Sequence, residues 1–88
     1  MAQNNDQEIL KVENELSGLK RERETLVNEF ERKKQTYLDQ LRTSVNTHQN
    51  VQLVTGMNQL ISDHKRKLDN IEAKIFQVRQ HYFKLLRG

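Results

Sequence analysis

The chain has 88 residues, of which 34% are hydrophobic, 6% aromatic and 31% charged, and its formal net charge is +3. This length allows a single domain, and the low apolar content excludes a large globular core. The absence of cysteine excludes disulfides and thiolate metal sites, while the absence of proline and the abundance of Glu, Lys, Arg, Gln and Leu are typical of long helices and coiled coils.

The N-terminal segment MAQNNDQEIL lacks the cationic stretch followed by an apolar stretch that marks a secretory signal. No apolar run approaches the roughly 20 residues that a bilayer-spanning helix requires. We therefore expect a soluble, cytoplasmic protein with no membrane span. Export by a route without a cleaved signal would leave the same pattern.

Apolar residues at alternating steps of three and four predict a first helix over residues 6–45, preceded by a flexible N-terminus at 1–5. Asn5, followed three residues later by Glu8, resembles a capping box. The spacing defines a heptad seam with two core positions, a and d. Its a positions are Ile9, Leu16, Arg23, Phe30 and Tyr37, and its d positions are Val12, Leu19, Leu26 and Lys33.

The heptad pattern of the seam is interrupted where the amino-acid composition of the chain changes. Two consecutive steps of four, a stutter, lead from Tyr37 to Leu41 and Val45. The stretch LRTSVNTHQNVQLVTG, residues 41–56, is rich in Asn and Thr, which are poor in helix interiors but favourable in turns and caps. This composition predicts a bend at residues 46–52.

A second helix is predicted over residues 53–87, because the alternation of threes and fours resumes there. Its seam positions are Met57, Leu60, His64, Leu68, Ile71, Ile75, Val78, Tyr82 and Leu85. This seam also contains a stutter, at Leu60–His64–Leu68.

The two seams match when the helices are paired antiparallel, with the residue numbers of facing side chains summing to 101 and the two stutters opposite each other. Examples are Leu16 with Leu85, Phe30 with Ile71, and Tyr37 with His64. The flanking g positions are also complementary, with Glu15, Glu22 and Glu29 on the first helix and Lys67, Lys74 and His81 on the second. The sequence therefore predicts an all-α antiparallel helical hairpin, a two-helix coiled coil that associates into a four-helix bundle. Two unbroken helices in a straight antiparallel dimer would satisfy the same pairing.

Several polar side chains at or beside the seam are candidates for fixing the register or the oligomeric state. They are Arg23, Lys33, His64, Glu22, Glu29, Lys67 and Lys74. Arg23 and Lys33 equally suit a second role, in which their alkyl stems cover the seam while their charges reach solvent. His64 could form a pH-sensitive layer. We favour the alternative in which it is an amphipathic spacer whose polar atom reaches the edge of the seam.

Apolar groups on two faces of the segment IFQVRQHYFKLL indicate a partner at that end of the hairpin. The predicted partner-binding residues are Ile9, Leu10, Val12, Phe76, Tyr82, Phe83 and Leu86. The partner is expected to be a protein, either a second copy, giving a dimer of hairpins, or a member of a heteromeric complex.

No catalytic or cofactor motif occurs in the sequence, and His48, His64 and His81 lack metal-ligand spacing on a helix face. We therefore expect a non-enzymatic interaction and assembly module without cofactor or metal. Short basic clusters, such as residues 63–70, make a weak nucleic-acid-binding protein one alternative, although acidic residues interleave them. A second alternative is a small adaptor or export chaperone that binds a helical client. In general shape the predicted hairpin is similar to such chaperones of bacterial secretion systems, and equally to many eukaryotic coiled-coil subunits.

Overall fold

The chain forms two long helices joined by a short bend. The computed structural model describes the backbone of residues 2–88 and the side chains of residues 5–88. Helix α1 spans Ala2–Thr43 and helix α2 spans Thr47–Arg87, and they pack antiparallel against each other. The predicted all-α helical hairpin is therefore confirmed. Over its described residues, neither helix has an apolar stretch long enough to cross a membrane.

The bend occupies residues 44–46, so most of the predicted bend at 46–52 belongs to α2 instead. The side-chain Oδ1 of Asn46 accepts hydrogen bonds from the backbone N–H groups of His48, at 2.9 Å, and Gln49, at 3.2 Å. These bonds satisfy two of the N–H groups that every helix start leaves free. The Asn- and Thr-rich composition therefore marks a helix cap rather than a long loop.

The start of α1 also differs from the prediction. Because α1 begins at Ala2, Asn5 lies inside the helix, and the predicted helix start at residue 6 and capping box at Asn5 and Glu8 are wrong. Ala and Gln are good helix formers and no residue near the start breaks a helix, so the helix extends further than the apolar spacing indicates. Of the segment predicted to be flexible, Met1 lies outside the described residues.

The described residues divide into two compact units, each containing a segment of both helices. The single helical-hairpin domain predicted over residues 6–88 stays a prediction. We call Met1–Glu24 with Asp69–Gly88 the terminal unit, and Thr25–Leu68 the bend unit.

The core of the terminal unit follows the predicted seam. Val12 and Ile75 are each 2% exposed and Leu16 is 9% exposed. Five partly buried apolar side chains pack against these three, namely Leu19, Ile71, Val78, Tyr82 and Leu85. Every member of this cluster occupies an a or d position, because only those positions face the other helix of an antiparallel pair.

In the bend unit the seam of α1 departs from the predicted one. Lys34 is partly buried there, whereas Lys33, predicted at a d position, is exposed. Val45, predicted as the last seam residue of α1, is 98% exposed, because it lies in the bend rather than on a helix. The stutter of α1 is consequently at Leu26–Phe30–Lys34 and not at Tyr37–Leu41–Val45.

The two helices are paired about one heptad away from the predicted register. The ring of Phe30 stacks on that of His64, with centroids 4.0 Å apart and planes 13° apart, and Glu13 is hydrogen-bonded to Tyr82. The residue numbers of these pairs sum to 94 and 95 rather than 101, and the predicted pairing of Tyr37 with His64 is wrong. A shift of seven residues keeps a and d positions facing each other, so the spacing of apolar residues alone does not distinguish the two registers.

Gly56 of α2 lies directly against the ring of Tyr37. A Cβ atom on Gly56 would lie 3.0 Å from both Cε1 and the hydroxyl oxygen of Tyr37, which is tighter than ordinary van der Waals contact. Gly18 has nothing within 4 Å of the equivalent position. Gly56 thus makes room for an aromatic ring, whereas Gly18 only lowers helix propensity.

We expect cross-linking to identify the observed register. Glu8 contacts His81 at 3.6 Å on the g edge. A short bismaleimide should therefore link E8C to H81C within one chain in high yield. The pair E22C and H81C, which would lie at nearly the same height only in the predicted register, is the matched control. Preferential linking of the control pair would show that the helices adopt the other register.

We also expect the two helix-interior glycines to respond differently to alanine. Gly18→Ala should stabilise the fold by about 0.5–1 kcal/mol through helix propensity. Gly56→Ala gains the same propensity but displaces Tyr37, so its stabilisation should be smaller or reversed. Urea unfolding followed by circular dichroism measures both, and equal stabilisation by the two variants would contradict the proposed contact between Gly56 and Tyr37.

Candidate interaction face

Four large apolar side chains are exposed on the terminal unit, and we call them the apolar face. Leu10 on α1 is 59% exposed, and Phe76, Phe83 and Leu86 on α2 are 61%, 49% and 54% exposed. In heptad terms Leu10, Phe76 and Phe83 are at b and Leu86 is at e. The b and e positions of both helices of an antiparallel pair flank the same edge of the seam, so the four side chains belong to one side of the unit.

The remaining predicted partner-binding residues are placed differently. Val12 is 2% exposed in the core between the helices, so its prediction as a surface residue is wrong. Ile9 and Tyr82 are partly buried at the seam. The register explains the error, because a sum of 101 would pair Val12 with a position beyond the end of the chain. The observed register instead places it opposite α2.

Two contacts between the helices lie along the same edge of the seam as the apolar face. The hydroxyl of Tyr82 donates a hydrogen bond to Oε2 of Glu13 at 2.9 Å. Nη1 of Arg23 donates to Oε1 of Glu72 at 3.0 Å, and the two side chains are 35% and 48% exposed. An ion pair this exposed adds only about 0.2–1 kcal/mol, so its main effect is to favour one register over its neighbours.

Fewer ion pairs than predicted form along the opposite edge, which consists of g positions. Nε2 of His81 lies 3.6 Å from Oε1 of Glu8, one heptad before the first predicted acidic partner. Within the described residues, Glu15, Glu22 and Glu29 form no ion pair with Lys67 or Lys74 within 4.0 Å. The predicted acidic and basic side chains are present along this edge, but these five are not paired with one another.

The structure brings the candidate register residues into distinct environments. Arg23 is paired with Glu72, which agrees with a register role. Lys33 is exposed, and Lys34 lies at the seam in its place, with its ammonium 5.4 Å from the centroid of the Phe30 ring and 3.1 Å from Glu31. The described part of the chain contains no cluster of three or more side chains suited to a metal ion.

His64 is a stacking residue in the seam of the bend unit. Its ring lies against Phe30, and its Nδ1 is buried without a hydrogen-bond partner. The expectation that a polar atom of His64 reaches the edge of the seam therefore fails for Nδ1. The ring occupies the space of an aromatic core residue.

Three residues that contribute to these contacts were not predicted from the sequence. Asn46 had a recognisable signal, since Asn followed three residues later by Gln resembles a capping box. Glu13 and Glu72 lie at e positions, where an acidic residue is common on any solvated helix. Their partners follow only from the register, and the predicted register was one heptad away from the observed one.

The phenol of Tyr82 titrates above its ordinary range. The hydrogen bond to Glu13 raises the pKa of Tyr82, and partial desolvation and the negative charge of Glu13 raise it further. A raised pKa means that folding favours the neutral phenol. The contribution of this bond to stability is therefore present below about pH 10, the ordinary tyrosine pKa, and is lost as the pH rises through the raised value.

We expect Glu13→Gln to lower the pKa of Tyr82, because it removes the negative charge and the strong acceptor. The Tyr37→Phe background leaves Tyr82 as the sole tyrosine, since the chain has two. Ultraviolet absorbance of tyrosinate during an alkaline titration measures the midpoint, with Glu15→Gln as the control. An unchanged midpoint in Glu13→Gln would show that the hydrogen bond does not form in solution.

What the apolar face binds can be inferred only from its own side chains. Comparison with known proteins gives no matching family model, no matching curated protein and no matching solved structure.

Proposed function

We propose that the protein is a non-enzymatic interaction and assembly module that binds other proteins by helix packing through the apolar face. The observation that carries this proposal is the exposure of Leu10, Phe76, Phe83 and Leu86 on one side of the terminal unit. Scattered apolar side chains are normal on protein surfaces, whereas grouped ones on one side are typical of interaction sites.

The spacing of these side chains suits a helical partner. Phe76 and Phe83 are seven residues apart on α2, and Leu86 follows Phe83 by three, so they form a ridge along one side of the helix. Ridges with this spacing pack into the groove of another helix. The large aromatic side chains Phe76 and Phe83 would supply most of the binding energy, since aromatic anchors dominate the energetics of protein interfaces.

The core of the terminal unit supports that ridge. The buried cluster around Val12, Leu16 and Ile75 holds the two helices together beneath it. The contact between Tyr82 and Glu13 lies beside Phe83, whose ring is 6.1 Å from that of Tyr82. A partner can therefore bind the face without separating α1 from α2. An export chaperone or adaptor function would use the same face to hold a helical client.

We expect protein capture to depend on the apolar face. The immobilised chain is incubated with an extract of cells that naturally produce it, and bound proteins, including further copies of the chain, are identified by mass spectrometry. The double variant Phe76→Asp with Phe83→Asp should lose at least one specifically bound protein, because two charges on the ridge oppose desolvation. Helicity is checked by circular dichroism.

The matched control is Val51→Asp, which places a charge on a side chain of similar exposure, 60%, in the bend unit. This variant should bind as the unaltered chain does. Identical sets of bound proteins for all three forms would contradict an interaction function of the apolar face. Recovery of nucleic acid, with binding that falls steeply as salt rises, would indicate the nucleic-acid alternative instead.

A further inference from the structure

We infer that the partner of the apolar face is a second copy of the chain, placed so that α1 of one copy packs on α2 of the other. This inference rests on the proposed function and names the occupant of its site. The result is a twofold-symmetric four-helix bundle built from two terminal units. Three properties of the terminal unit support it: the area of its apolar face, the charges of its two helical segments, and the size of its core.

The area of the apolar face is sufficient when the face meets its own copy. Each of the four half-exposed side chains offers on the order of 100 Å² of apolar surface, about 400 Å² in total. A symmetric dimer buries this area twice, about 800 Å². Since apolar atoms make up about 60% of a typical interface, the whole interface is about 1,300 Å². That value falls within the range of about 1,200–2,000 Å² for specific complexes.

The charges of the two helical segments favour one arrangement of the copies. Residues 1–24 carry four basic and six acidic side chains, a net charge of −2, while residues 69–88 carry four basic and two acidic ones, a net charge of +2. Packing α1 on the α2 of the second copy therefore brings opposite net charges together. Packing like segments on each other would bring like net charges together.

A twofold axis parallel to the helices produces this favoured arrangement. Rotation about that axis keeps every residue at the same height, places α1 opposite the α2 of the second copy, and makes all neighbouring helices antiparallel. The bond from Tyr82 to Glu13 shows that these two residues share a height. Arg79, one turn before Tyr82 on α2, is thereby brought near Glu13 of the second copy.

A second copy would stabilise the terminal unit, because the core of this unit is small. Only Val12, Leu16 and Ile75 are buried among the described residues, and the apolar side chains packed around them stay partly exposed. A two-helix core of this size leaves little surplus over the entropy of ordering the chain. A second hairpin across the apolar face adds a layer to that core, as in natural four-helix bundles.

The first test is the solution mass of the full chain by sedimentation equilibrium. We expect twice the chain mass of 10.5 kDa for the unaltered protein and for Val51→Asp. The double variant Phe76→Asp with Phe83→Asp should be monomeric, with a helical signal that does not change with protein concentration. A monomeric unaltered chain at on the order of 100 μM, or a double variant that still dimerises, would overturn the inference.

The second test uses charge reversal and does not depend on the phenylalanines. Arg79→Glu and Glu13→Lys should each weaken self-association by about tenfold or more, because each places like charges across the interface twice. An equimolar mixture should restore a heterodimer, since both cross-chain pairs are then of opposite sign. Native mass spectrometry distinguishes the two chains by mass. Absence of heterodimer in the mixture would overturn the arrangement of α1 on α2.

Failure of this inference is distinguishable from failure of the proposed function. If the unaltered chain is monomeric but captures a different protein through Phe76 and Phe83, the second copy is excluded and the interaction function stands. If the chain is monomeric and captures nothing through these residues, both proposals are overturned.

Discussion

The register between α1 and α2 depends on matching the places where their heptads are interrupted. Leu26–Phe30–Lys34 on one helix faces Leu60–His64–Leu68 on the other, with the ring of Phe30 stacked on that of His64. A stutter locally changes the winding of a coiled coil, and a partner without a stutter at the same height would lose its knobs-into-holes packing there. Regular heptads tolerate a slide of seven residues, whereas a matched pair of stutters does not. The layer of Phe30 and His64 therefore distinguishes registers that the rest of the seam leaves almost equivalent.

That register determines which residues form the core of the terminal unit. With the helices paired as observed, Val12 and Leu16 lie opposite α2 and form its core with Ile75. A displacement by one heptad would leave the start of α1 unpaired and would separate Glu13 from Tyr82. The large apolar side chains that stay exposed, Phe76 and Phe83 above all, are at b or e positions and lie outside the seam in either register. What the register decides is that Val12 belongs to the core and not to the candidate interaction face.

Periodicity in the sequence was sufficient to predict the helical hairpin and most of its seam. Steps of three and four identify the face of each helix, and these steps are a local property. The register, the bend and the site residues depend on interactions that periodicity does not contain. Lys33 and Lys34 have the same chemistry, so the sequence could not show which one occupies the seam. Asn46 acts as a cap through two hydrogen bonds, which shortens the bend to three residues. Val12 was assigned to the surface only because the register was displaced.

The cap at Asn46 also bears on the order in which the chain assembles. Its hydrogen bonds join residues two and three positions apart, so the turn forms without any distant contact. The bond from Tyr82 to Glu13 spans 69 residues, and closing so long a loop is costly unless the intervening segments are already paired. We therefore expect the helices to zip together from the turn outward. The ridge of Phe76, Phe83 and Leu86 forms with α2 itself, whereas Leu10 of α1 joins it only when the far end of the hairpin closes. The complete apolar face is thus a property of the closed hairpin and not of either helix alone.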